Sequence, residues 1–179
     1  MELHGTAAES LARTINRKND MIETGERIDT DFELDVVEGG EHRTLSFGEL
    51  LDRPTVVSVY MKNNTSSCDR QVASLAGESG WFDERGYNLV ALSKNGWRSH
   101  RNYAEKMNVD FVLASDPDYL FAEATDSVVE KQMFGNSYEA PSRSAWVIGT
   151  DGTVLGRIAN VNTKEHAAEL KELIGGLKK

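Results

Sequence analysis

Three apolar runs constrain this chain more than any other feature: TVVSVYM at 55–61, NLVALS at 88–93 and DFVLAS at 110–115. Each is short and apolar, and none shows a regular polar alternation. A strand wetted on one face alternates apolar with polar residues, whereas one covered on both faces does not. These runs therefore predict the central strands of a sheet with helices over both sides.

The intervening stretches fit that plan. From about Ser67 the pattern is helical, with Val72, Leu75 and Ala76 on one face and Gly86 ending the stretch. SHRNYAEKMN (99–108) predicts a helix carrying Tyr103 and Met107 on one side, and YLFAEAT (119–125) a shorter one. Upstream, DFELDVV (31–37) reads as a strand, and Ser46 with Glu49 has capping-box spacing for a short helix that Pro54 helps to stop. Downstream, SAWVIGTDGTVLGRIA (144–159) is two strands joined at Thr150–Gly152, where Asp-Gly marks a turn. KEHAAELKELIGG (164–176) is an amphipathic helix ended by glycine. The sum is an α/β sandwich with a central mixed β-sheet flanked by helices. That is a thioredoxin-like fold, although periodicity alone leaves a flavodoxin-like one open.

At 179 residues the chain is long enough for one domain with a real core. Residues 1–20 read as an N-terminal helix or arm, with Leu11 and Ile15 on one face, and residues 21–179 as the domain. With 20 Lys and Arg against 29 Asp and Glu the formal charge is −9, which argues against nucleic acid or an anionic membrane as partner. No window reaches the ~18 apolar residues of a membrane span, and the N-terminal stretch has no signal-peptide core. The expectation is a cytoplasmic protein in a reducing compartment, where the NTS tripeptide at Asn64–Ser66 is a chance match to a glycosylation site. His4, His42, His100 and His166 are scattered, without HxH or HxxxH spacing. A single cysteine makes neither an intrachain disulfide nor a Cys-rich metal site, so no metal is expected.

That one cysteine, Cys68, stands where the first apolar run gives out, in NNTSSCDRQ (63–71). A thiol attacks only as the thiolate, and with a pKa of about 8.5 a free cysteine is only a few per cent ionised at pH 7. The first turn of a helix supplies unpaired N–H groups and roughly half a positive charge, so Cys68 at a strand–helix junction is placed for activation. Thr65, three residues ahead, can fold its hydroxyl back onto the sulfur or onto a bound oxygen. Ser66 and Ser67 read as helix N-caps. The competing reading of Cys68 is a half-buried structural thiol.

The segment YMKNNTSSCDRQ (60–71), with Thr-x-x-Cys after a buried strand, resembles the active-site segment of the peroxiredoxins, specifically the bacterioferritin comigratory protein (peroxiredoxin Q) branch. DFEL at Asp31 is similar to that family's N-terminal strand, and SHRNYAEKMNVDFVLASDP to its helix–strand–SDP block. EKQMFGNSYEAPSRSAWVIGTDGTV is similar to the segment that carries its catalytic arginine, here Arg143. The resemblance covers about Ile22 to Ile174. It implies a thiol peroxidase with no organic cofactor, acting as a monomer or homodimer. In it Cys68 attacks the terminal oxygen of a hydroperoxide, leaving a sulfenic acid and water or an alcohol. Thr65 and Arg143 hydrogen-bond the peroxide oxygens and stabilise the developing charge, with backbone groups of Asn64 and Ser67 lining the pocket. Position alone would make Arg143 a surface arginine at a strand edge.

Two departures from the family pattern matter. Met61 replaces the proline that shields the thiolate; it is as bulky and apolar, without the ring's rigidity. Ala73 stands where many relatives carry a resolving cysteine, so the resemblance implies a one-cysteine mechanism. The sulfenic acid is then resolved by an external thiol: thioredoxin, glutaredoxin or a low-molecular-weight thiol. Asp69 is expected to suit the helix N-terminus; its charge opposes the thiolate, and does so little only where the side chain points to solvent. Gln71 is expected to support the helix; Trp81, Trp97 and Trp146 read as core or pocket wall, and Trp146, on the strand after Arg143, is the one placed to line the site. Two rivals remain at this stage. One is a slow redox sensor or interaction protein, favoured by Met61. The other is a one-cysteine thiol transferase, which needs a cis-proline before a strand opposite the cysteine and finds only Pro141, poorly placed. TDGTV (150–154) lacks the nucleophilic aspartate of dehalogenase-type phosphatases, since Gly149 occupies that position, and GESGWFDERG (77–86) lacks the Lys followed by Ser or Thr of a phosphate loop and does not bridge strand to helix.

Overall fold

The computed structural model describes residues 21–177; the helix or arm expected over residues 1–20 lies outside them. Strands β1 (Glu33–Glu38) and β2 (Glu41–Ser46) form an antiparallel hairpin. A 3-10 turn at Phe47–Leu51, closed by the expected Ser46–Glu49 capping box, leads to β3 (Thr55–Val59). Helices α1 (Ser66–Ala76) and α2 (Ser79–Glu84) precede β4 (Asn88–Ser93), and α3 (Trp97–Met107) precedes β5 (Val112–Ser115). After α4 (Leu120–Ala124) comes a separate two-stranded ribbon, β6 (Val128–Met133) with β7 (Asn136–Pro141). The hairpin β8 (Ala145–Ile148) and β9 (Val154–Ile158) and helix α5 (His166–Gly175) complete the fold.

The seven-stranded sheet runs in the order β2-β1-β5-β4-β3-β8-β9. Strands β3, β4 and β5 are parallel to one another, and β1, β8 and β9 enter antiparallel to their inner neighbours. The three apolar runs are thus the central strands, and alternate side chains feed two cores. Val57, Val59, Val90, Trp146 and Ile148 pack on one face with Phe47 and Phe121. Val56, Ala91 and Val147 pack on the other with α1, α3 and α5 through Val72, Leu75, Tyr103, Leu170 and Ile174. This is the thioredoxin-like arrangement.

One expectation needs correcting. The helix expected to run unbroken to Gly86 ends at Ala76, where the Gly77 N–H caps it by donating to Ala73 O, and restarts as α2. Of the two places open to Trp146, it takes the core and not the pocket wall: it is fully buried on the face opposite Cys68, edge-on to Phe121.

Candidate functional site

Strand β3 hands the chain to α1 through a loop held by buried polar groups. The Val59 N–H still donates to Ser144 O, and the Tyr60 N–H to Leu92 O. The Tyr60 hydroxyl donates to Asn63 Oδ1 at 2.5 Å, and Asn63 Nδ2 reaches Ser99 Oγ at 3.0 Å and His100 Nδ1 at 3.2 Å. The other nitrogen of His100 lies 3.0 Å from Ala114 O. A carbonyl only accepts, so His100 carries its proton on Nε2 and offers Nδ1 as acceptor. Burial holds the pKa of His100 down to about 4, keeping it neutral. Asn64 ends the loop in the left-handed region, at φ 67°, a conformation asparagine tolerates better than most residues.

Thr65 is the N-cap of α1 through its extended backbone, and its carbonyl accepts from the Asp69 N–H at 2.7 Å. Ser66 and Ser67, expected as caps, are instead the first two helical residues, and no side chain among the described residues caps the helix. Cys68 follows as the third, 1% exposed, in the turn where N–H groups are unpaired.

The loop before β8 brings Arg143 onto it. Arg143 Nη1 donates to Cys68 Sγ at 3.3 Å and to Gln71 Oε1 at 2.8 Å, while Nη2 donates to Ser67 Oγ at 3.2 Å. Arg143, distant in sequence, is therefore brought together in space with Cys68 and Thr65, which lie three residues apart. Burial pushes the Cys68 thiol up, but hydrogen bonds from the Thr65 side chain, the Lys62 and Met61 backbone and Arg143 outweigh it and leave the pKa below its ordinary value. A thiolate only accepts, so the backbone share comes from the N–H groups of Lys62 and Met61. The Thr65 hydroxyl donates to Lys62 O at 3.0 Å; its single proton has two acceptors in reach, that carbonyl and the sulfur.

Three neighbours add to the site what the sequence did not show. Asp69 faces the protein: its Oδ1 accepts from the Tyr103 hydroxyl at 2.5 Å. Gln71 does more than support the helix. It is fully buried, its Nε2 donates to Ser58 Oγ at 2.8 Å and Val59 O at 3.1 Å, and its Oε1 anchors Arg143. Three residues after Cys68, it lies on the same helix face, a spacing that marks the face but not what stands across from it. Lys131 of β6 carried no sequence signal, yet its Nζ donates to Met61 Sδ at 3.0 Å. Burial and Arg143 push the Lys131 pKa down, against the pull of Cys68. A cavity of about 250 Å³ opens here, lined by Tyr60, Met61, Lys131, Tyr138 and Pro141 among others. Pro141 closes β7 and so does not open a strand opposite the cysteine, as a thiol transferase would require.

A helix-borne cysteine under an arginine, at the end of a central strand of this sheet, defines a thiol-based oxidoreductase on a thioredoxin-like scaffold. Residues 26–157 match the AhpC/TSA family, and the chain belongs to it. Within that family it falls in the bacterioferritin comigratory, or peroxiredoxin Q, branch of the peroxiredoxins. It is 26% identical over 130 residues to a putative peroxiredoxin bcp of Coxiella burnetii, covering 73% of this chain and 86% of that one. With peroxiredoxin Bcp of Bacillus subtilis it shares 27% over 148 residues, 83% of this chain and 92% of the other. Xanthomonas campestris peroxiredoxin Q has the same fold, with a TM-score of 0.77 at 23% identity over 87% of this chain and 99% of its own.

Proposed function

We propose that the protein reduces hydroperoxides at Cys68 and is regenerated by a thiol from outside the chain. The observation that carries this reading is the 3.3 Å contact from Arg143 to the sulfur. It joins the first turn of α1 in favouring the thiolate. The thiolate attacks the terminal peroxide oxygen, an S–O bond forms as the O–O bond breaks, and the leaving alkoxide or hydroxide takes up a proton. Arg143 and the Thr65 hydroxyl donate to the oxygens as charge passes between them. The sulfenic acid then condenses with an external thiol, releasing water, and a second thiol displaces Cys68 from the mixed disulfide. With one cysteine in 179 residues, that thiol is thioredoxin, glutaredoxin or a low-molecular-weight thiol of a reducing compartment.

The test is the loss of titratable thiol to stoichiometric hydrogen peroxide from pH 4 to 9, beside a Cys68→Ser control. Fast loss that rises through a midpoint well below 8.5, absent in the control, is expected. Loss no faster than from a free thiol would leave a slow sensor or interaction protein, the reading that Met61 in place of the family's proline favours.

A further inference from the structure

Beyond Gln71 the polar contacts continue through the core to the far side of α5. Ser58 sits in the middle of β3, fully buried, with its Oγ 2.8 Å from Gln71 Nε2 and 2.8 Å from His166 Nε2. His166 opens α5 and is also fully buried; its Nδ1 lies 2.7 Å from Glu169 Oε2. Glu169 is partly exposed and also accepts from the Asn162 N–H at 3.0 Å.

Proton positions along this chain are forced. Arg143 can only donate, so the Gln71 atom facing it is the carbonyl oxygen and the amide NH₂ faces Ser58 and Val59 O. The Ser58 oxygen accepts from Gln71 and gives its own proton to His166 Nε2, which leaves the imidazole proton on Nδ1, toward Glu169. Every donor thus points the same way, from Arg143 through Gln71, Ser58 and His166 to Glu169. A cation at the inner end and a carboxylate at the outer end polarise one continuous chain. Ser58, His166 and Glu169 have the contacts of a hydrolytic triad, but the hydroxyl is sealed inside the sheet and no substrate reaches it.

We propose that Ser58, His166 and Glu169 are positioning residues for the peroxidase site, fixing the Gln71 amide so that its carbonyl holds Arg143 on the Cys68 sulfur. A flipped amide would set NH₂ against the guanidinium, donor against donor, and Arg143 would lose its 2.8 Å anchor. Because the Ser58 proton is committed to His166, Ser58 presents only lone pairs to Gln71 and the flip is disfavoured. Val59 O favours the same orientation at a longer 3.1 Å. The proposal rests on the reading of Cys68 and Arg143 given above.

Ser58→Ala tests it with the smallest change. The pH midpoint of Cys68 alkylation by iodoacetamide should move upward, and thiol loss to hydrogen peroxide at pH 7 should slow about tenfold. Alkylation at pH 10, where the thiol is fully ionised, should not change. In a Gln71→Leu background the same substitution should add nothing, because Ser58 acts through Gln71. Glu169→Ala, at the outer end, should move the midpoint the same way by less, and replaces Ser58→Ala if that variant does not fold. An unmoved midpoint in the folded variant overturns the proposal, and so does an effect that persists without Gln71. The alkylation midpoint is read without peroxide, so it still judges the chain of contacts if the wild-type protein fails to consume peroxide.

Discussion

At the residue scale the site depends on what each donor can reach. Arg143 holds Cys68 Sγ, Gln71 Oε1 and Ser67 Oγ with one planar fork, which the point charge of a lysine cannot do. Arg143→Lys is therefore expected to lower kcat/KM for hydrogen peroxide by roughly 10²-fold and to raise the Cys68 pKa, measured by steady-state turnover and by alkylation against pH. Met61 leads to a less obvious prediction. Its N–H is among the groups that lower the Cys68 pKa, and proline has no N–H to give. Restoring the family's residue as Met61→Pro should raise the thiol pKa and slow thiol loss at pH 7; faster loss would show that ring rigidity matters more than the donor. Cys68, Thr65 and Arg143 were legible because a local motif and a resemblance named them. Gln71 and Ser58 were not, because a glutamine on a helix and a serine in an apolar strand acquire roles only when the sheet sets them face to face.

At the element scale, continuous burial made the central strands readable, and the capping box located the turn before β3. The ribbon β6–β7 was missed for physical reasons. Its turn uses Phe134 and Gly135, both at positive φ, in place of the Asn-Gly or Asp-Gly pairs that signal such turns. Most of β7 is exposed on both faces, so no apolar alternation betrays it. Strand β2 was missed alike, with no residue of Glu41–Ser46 buried. Helix α5 lies close over Gly156 of β9, where a Cβ would stand 3.0 Å from a Leu173 methyl. Gly156→Val should push the helix off the sheet and cost about 1–3 kcal/mol in a denaturant melt. Because α5 carries His166, the same variant should also slow peroxide reduction.

At the scale of the whole molecule, two neutral histidines are locked into the interior. For His100, with a folded pKa of about 4, the unfolded chain takes up a proton below its own pKa of about 6.5 that the folded state refuses. The associated stability is full above pH 6.5 and is lost as pH falls toward 4, about 3 kcal/mol from this group. His166, also lowered by burial, acts in the same sense, while the buried Asp116 carboxyl, pushed up, acts in the opposite one. Thermal melts from pH 7 to 4 should therefore show a flatter loss for His100→Gln than for the wild type. A last consequence follows from Ala73, exposed on α1. Residues five apart in an α-helix have Cα atoms about 8.6 Å apart, beyond the reach of a disulfide, so a relative with its second cysteine there must unwind the helix that presents its first. This chain has no such obligation. On the one-cysteine reading proposed above, no bond within α1 has to close, and the tempo of the cycle passes to the abundance of thiols around the protein.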